Sequence, residues 1–234
     1  MNLAAGTYRI EVTYRAGHAG ESGSFTARYT SDTPYADVAE DAWYHDAVLE
    51  ASAAGLMTGY GAGTFGPTDS LTRAQAATVL WRYFQPTAAK NYNQNAATNR
   101  TKMADVESGC FYTEAANWAV ENGVIHGVEK DGELCFDPDA KIPREQLCVM
   151  IANAASQLCG KDTEDASHEK LDEMPDAQSV PAWAANAVAW CLNEGVVNGV
   201  DENGTRYVEP AAIVDRATMA QVMVNATGNG ALSR

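Results

Sequence analysis

Polar and apolar residues alternate along positions 7–14, which places Tyr8, Ile10, Val12 and Tyr14 on one face of an extended segment. A glycine-rich turn follows, and Phe25, Ala27 and Tyr29 alternate again, so residues 1–34 read as a short β-hairpin or the tail of an upstream domain. Two strands alone are marginal in water, so this piece needs something to pack against. From residue 35 the period changes. Trp43, Ala47, Val48, Ala51 and Ala54 recur at helical spacing, as do Val79, Leu80, Tyr83 and Phe84, and then Leu147, Met150, Ile151, Ala154 and Leu158. Helices separated by glycine-rich loops are therefore predicted for the rest of the chain.

The same landmarks pass three times in one order. They are Asp37, Gly55, Gly59, Phe65-Gly66-Pro67 and Arg73; then Asp105, Gly123, Gly127, Phe136-Asp137-Pro138 and Arg144; then Asp176, Gly195, Gly199, Val208-Glu209-Pro210 and Arg216. From Asp to the first Gly the separations are 18, 18 and 19 residues, and from Pro to Arg they are 6, 6 and 6. The loop from Gly59 to Phe65 is shorter than its two counterparts. Repeats of 35–85, 103–159 and 174–228 follow, each read as helix, loop, helix.

Local chemistry marks the helix ends. Gly55 stands where a left-handed C-terminal cap is wanted. Thr72 with Gln75 forms a capping box, Pro143 suits a first helical turn, and Asp215 is a good N-cap, so three different residues start the equivalent helix. A unit of about 50 residues buries too little surface to be robust alone, so the three are expected to share one core. The connectors 86–102 and 160–172 are polar and read as exposed.

Charge narrows the partners. The chain carries 31 Asp and Glu against 16 Lys and Arg, a net −15, which argues against nucleic acid and against an anionic membrane surface. No apolar run approaches the length of a membrane span. The first twenty residues show no secretory leader, which leaves a cytoplasmic protein or a piece of a longer exported one. The five cysteines are too irregular for a disulfide framework and read as isolated buried thiols, although Cys110 and Cys135 each precede an aromatic residue within one repeat. No zinc spacing, cofactor fingerprint or catalytic motif occurs; Ser167-His168-Glu169-Lys170 matches S-x-x-K without its companion motifs. Neither a catalytic nor a metal-binding residue is assigned, and no cofactor is implied.

The repeats resemble the S-layer homology family in its usual set of three. The resemblance rests on Tyr35-Ala36-Asp37-Val38, the Gly-x-x-x-Gly segment, the Phe-x-Pro turn and Thr72-Arg73-Ala74-Gln75, and it covers residues 35 to about 227. It implies a mainly α fold in which three helix-loop-helix repeats form a pseudo-threefold, three-pronged assembly. It also implies an exported module on the bacterial cell surface, joined to an upstream cargo domain, that binds secondary cell-wall polysaccharide non-covalently. The glycan expected is anionic and pyruvylated.

A guanidinium in the first turn of a helix, beside backbone N–H groups, suits a carboxylate. Carried onto this sequence, the resemblance nominates Arg73, Arg144 and Arg216 for the anion and Gly59, Gly127 and Gly199 for close backbone approach; Trp43 and Tyr44 are candidates for stacking on a sugar, with core packing the favoured alternative. An alternative partner for each arginine is a neighbouring repeat's Asp37, Asp105 or Asp176. Asp215 and Thr218 beside Arg216 are expected to weaken that site, which makes the first repeat the favoured binder. Two other functions compete: a protein-interaction module that keeps the fold without binding glycan, and a wall-glycan hydrolase. The acidic stretches 131–133 and 201–204 offer oxygen ligands for calcium but read better as surface turns.

Overall fold

The computed structural model describes residues 34–233. The hairpin expected over 1–34 lies, but for its last residue, outside them. The described residues are mainly helical. The first repeat supplies α1 (His45–Ala53) and α2 (Arg73–Phe84), followed by the short α3 (Pro86–Lys90). The second supplies α4 (Thr113–Glu121), a hairpin of β1 (Val128–Lys130) and β2 (Glu133–Cys135), and α5 (Arg144–Cys159). After the short α6 (Glu169–Asp172), the third supplies α7 (Ala185–Asn193), a hairpin of β3 (Val200–Glu202) and β4 (Thr205–Tyr207), and α8 (Arg216–Gly228).

The expected caps are present. Thr72 and Gln75 bond reciprocally at the start of α2, and the Asp215 carboxylate accepts from the Thr218 N–H at the start of α8. Pro143 stands one position earlier than expected, at the N-cap of α5 rather than inside its first turn. Gly55, Gly123 and Gly195 close the first helices with φ of +71°, +66° and +65°.

Two features of the connectors and loops differ from expectation. The connectors hold short helices: a proline opens α3, and Leu171 of α6 is buried in the core, so these segments are not wholly solvated. The three additional residues in the second and third loops build hairpins. Asp131-Gly132 and Asn203-Gly204 turn them with positive φ at both positions, the geometry that matches strand twist. The acidic stretches are thus hairpin tips.

Helix pairing runs between repeats. The principal pairs are α2 with α4, α5 with α7, and α8 with α1, so each second helix packs on the first helix of the next repeat, and the last repeat closes onto the first. Within one repeat the two helices are not the main partners, unlike the simple helix-loop-helix prong expected. A single hydrophobic cluster draws on all three repeats, with Phe65, Leu80, Phe136, Ile151, Val188 and Met219 fully buried.

At the centre the chain closes a ring. The Leu71 N–H donates to the Val214 carbonyl at 2.8 Å, Val214 to Ile142 at 3.0 Å, and Ile142 to Leu71 at 3.0 Å. These three residues immediately precede the starts of α2, α5 and α8. The ring therefore sets where the three helix-start arginines stand.

Candidate functional site: two grooves between repeats

Each of the turns at Phe65-Gly66-Pro67, Phe136-Asp137-Pro138 and Val208-Glu209-Pro210 is held on both sides. In the first repeat the Asp37 carboxylate accepts the Phe65 and Gly66 N–H groups at 2.8 and 2.7 Å. Asp105 does the same for Phe136 and Asp137, and Asp176 for Val208 and Glu209. The middle residue of the turn is left-handed in all three, with φ of +73° at Gly66, +59° at Asp137 and +48° at Glu209. Two short N–H bonds to a charged acceptor help hold the two non-glycine residues in that conformation.

The carbonyl of each turn meets the arginine of the preceding repeat. Arg73 Nε donates to Phe136 O at 2.9 Å, Arg216 Nε to Phe65 O at 2.9 Å, and one Arg144 terminal nitrogen to Val208 O at 2.6 Å. Arg73 and Arg216 are each only 6% exposed. The direct Arg–Asp salt bridge weighed from sequence is replaced by this two-sided grip on one turn residue.

The helix N-termini are also occupied. The Arg73 and Ala74 N–H groups donate to Ala140 O and Pro138 O, Arg144 and Glu145 to Ala212 O and Pro210 O, and Arg216 and Ala217 to Asp69 O and Pro67 O. The backbone donors proposed for an anion are therefore spent on the junction between repeats. What remains for a ligand is guanidinium edge and aromatic face.

Two grooves open at these junctions. The first, about 250 Å³, is lined by Thr58, Gly59, Tyr60, Gln75, Val79 and Arg82 of the first repeat, with Arg216 from the third and Phe111 from the second. The second, about 290 Å³, is lined by His126, Gly127, Gln146, Met150 and Asn153 of the second repeat, with Arg73 from the first and Trp183 from the third. Each combines an arginine from the repeat before, a glycine loop and helix from its own repeat, and an aromatic from the repeat after.

This arrangement regroups the residues nominated from sequence. Arg73 shares a groove with Gly127 and Trp183, not with Gly59 or Trp43. Phe111 and Trp183, 49% and 59% exposed, were missed by the sequence reading. The signal was available: they stand six and seven residues after Asp105 and Asp176, as Trp43, 64% exposed, stands six after Asp37.

The glycines have a structural cause as well as a groove position. A Cβ on Gly127, at φ +84°, would lie 2.7 Å from Met103 Cε and 2.9 Å from Cys135 O. One on Gly199 would lie 2.9 Å from Tyr207 O. The loops need glycine because they rest on the neighbouring hairpin strand.

The three arginines differ in charge balance. Beside Arg144, the turn residue Glu209 comes within 3.4 Å and partly neutralises it. In the turn that Arg73 holds, Asp137 is engaged by Lys130 at 2.7 Å. In the turn that Arg216 holds, the equivalent residue is Gly66, and the Asp69 carboxylate stands beside it, one oxygen 2.5 Å from where a Gly66 Cβ would lie. Asp215, expected to weaken Arg216, has an oxygen engaged in capping α8. The first groove also holds a second cation, Arg82, which donates to Leu56 O at 3.0 Å. Burial, then the like charge of Arg216, pulls the Arg82 pKa below the ordinary guanidinium value. The Arg216 guanidinium lies 4.5 Å from the Tyr60 ring centroid and 4.6 Å from that of Phe65. Sequence reading missed Arg82 because it stands late in α2, outside any repeated motif; Asn153 and Asn225 occupy the equivalent positions.

Residues 34–77 and 173–220 match the S-layer homology domain. The chain is 27% identical to the Surface-layer 125 kDa protein of Lysinibacillus sphaericus over 76% of its own length and 13% of that protein's. It is 27% identical to an Endoglucanase of Bacillus sp. (strain KSM-635) over 81% of its length and 18% of the enzyme's. To Cell surface glycoprotein 1 of Acetivibrio thermocellus it is 32% identical over 69% of its length and 7% of that protein's. The chain thus spans less than a fifth of each of these relatives.

Proposed function

Because the chain belongs to the S-layer homology domain family, we propose that it is a cell-surface anchoring module whose grooves bind an anionic, pyruvylated secondary cell-wall polysaccharide without covalent attachment. In this reading the three repeats act as a pseudo-threefold, three-pronged unit. The protein is exported to the bacterial cell surface, and a cargo domain is joined to this module, in keeping with relatives that are several times longer and are named as a surface-layer protein and an endoglucanase. The chain itself is read as a binding module rather than an enzyme.

The observation that carries the reading is the first groove. Two guanidiniums, Arg82 and Arg216, line one cleft with the half-exposed ring of Phe111. A carboxylate needs a local cation here, because the molecule as a whole carries −15 and repels an acidic glycan at long range. A sugar ring beside that carboxylate needs an apolar face to stack on. Groove and ligand therefore match group for group. In the second groove Arg73 and Trp183 offer the same pair with one cation fewer.

Co-sedimentation with purified wall polysaccharide tests the function. Binding that disappears when the pyruvyl groups are removed supports it. Equal sedimentation of the chain with pyruvylated and depyruvylated polysaccharide argues against a carboxylate ligand.

A further inference from the structure

Two buried thiols take no part in the grooves. Cys148 lies on α5 and Cys191 on α7, the helices that join the second repeat to the third. Both are buried, and Cys191 Sγ lies 3.7 Å from the Cys148 carbonyl oxygen.

The internal repeat supplies a second, independent observation. Counted from the helix-start arginine, the positions equivalent to Cys148 are Ala77 and Ala220. Counted back from the closing glycine, those equivalent to Cys191 are Ala51 and Ala119. The corresponding helix pairs, α2 with α4 and α8 with α1, thus carry alanine at both positions, all four buried. One crossing of three replaces both alanines by cysteine. Alanine at a crossing lets helices approach closely, and a disulfide needs Cβ atoms about 3.5–4.5 Å apart.

We propose that Cys148 and Cys191 are a disulfide site that locks the second repeat to the third once the chain meets a disulfide-class oxidant. One thiolate attacks the incoming disulfide, forming a mixed disulfide and releasing one thiol. The second cysteine then attacks its partner's sulfur, forming the Cys148–Cys191 bond and releasing the other half of the oxidant as a thiol. Two protons and two electrons pass from the protein to the oxidant, which leaves as two thiols. An exported chain meets such oxidants, and that location rests on the anchoring function above; the crosslink itself does not.

Burial sets the timing. It holds the Cys191 thiol well above its ordinary pKa, so little thiolate exists while the crossing is packed, and exchange proceeds when α5 and α7 transiently part. The closed loop would span residues 148–191, long enough for a measurable restriction of the unfolded chain.

The test uses the purified chain, without glycan, held with oxidised glutathione a few degrees below its melting point. Remaining thiols are then alkylated, and the peptides are mapped without reduction. Residues 145–161 carry both Cys148 and Cys159, so fragment ions are needed to locate the bond. The expected product is a Cys148–Cys191 linked peptide two hydrogens lighter than its parts. With it comes a rise in melting temperature of about 5 °C or more that reductant reverses. The double variant Cys148→Ala/Cys191→Ala copies the other two crossings and is expected to fold and to lose the oxidant response. Recovery of both cysteines alkylated, or linkage mainly through Cys110, Cys135 or Cys159, would overturn the proposal. Because no polysaccharide is present, neither result depends on glycan binding.

Discussion

Arg216 and Asp37 grip the same turn residue from opposite sides: Asp37 accepts the Phe65 N–H and Arg216 donates to the Phe65 carbonyl. One side chain belongs to the first repeat and the other to the third. The contact therefore closes the chain on itself, and it fixes the guanidinium at the edge of the first groove.

Asp37 gives the fold an acid limit. Burial alone would raise its pKa, but the Phe65, Gly66 and own-backbone N–H groups and the charge of Arg216 hold it below the ordinary carboxylate value. A depressed carboxylate pKa contributes stability that is complete above the unfolded value and is lost as pH falls through the folded one. Thermal melts should show stability declining below about pH 4. In Asp37→Asn that decline should be shallower, with stability at neutral pH lower by about 1 kcal/mol, the value for a charged hydrogen bond reduced because Asp37 is open to water.

Gly127 and Gly132 separate steric need from backbone need. Both have positive φ, but a Cβ at Gly132 meets nothing within 4 Å, whereas one at Gly127 collides with the Cys135 carbonyl. Urea denaturation should find Gly132→Ala destabilised by about 1 kcal/mol, and Gly127→Ala by about 2–4 kcal/mol.

Because one core serves all three repeats, unfolding should be a single event. Differential scanning calorimetry is expected to give one transition, with calorimetric and van't Hoff enthalpies in agreement. Three separate transitions would mean that the central ring through Leu71, Ile142 and Val214 does not couple the repeats.

The exposed aromatics should contribute to binding without contributing much to stability. Phe111→Ala and Trp183→Ala are each expected to weaken polysaccharide binding by about 1 kcal/mol, roughly fivefold in Kd, with the melting temperature little changed. Titration calorimetry and a thermal melt on the same preparations check both halves.

Much of the local structure is legible in the chain. The Asp-to-Gly and Pro-to-Arg spacings identify the repeats, and Thr72 with Gln75, Asp215 and Gly55 mark helix ends through short-range hydrogen bonding. The groove assignments are not legible in this way. They depend on docking each repeat against the next, so Arg73 serves the groove of the second repeat and Arg216 that of the first. Short-range patterns carry no information about that circular shift. Phe111 and Trp183 stand where Trp43 does in the first repeat, but Phe111 differs from it in residue type and Trp183 in spacing. Arg82 has asparagine, Asn153 and Asn225, at its counterparts, so no repeated cation marks it.

The proposed role of the first groove is to bind the carboxylate of an acidic wall glycan through Arg82 and Arg216. Arg216 also holds the turn, so Arg82→Gln is the cleaner probe. Isothermal titration of wild type and Arg82→Gln with pyruvylated and with depyruvylated polysaccharide tests it most directly. Loss of a charge-assisted hydrogen bond of about 1.5–3 kcal/mol predicts a tenfold or greater weakening for the pyruvylated ligand, and no difference between the two proteins for the depyruvylated one. Equal affinity of both proteins for the pyruvylated glycan would mean that Arg82 does not hold the carboxylate.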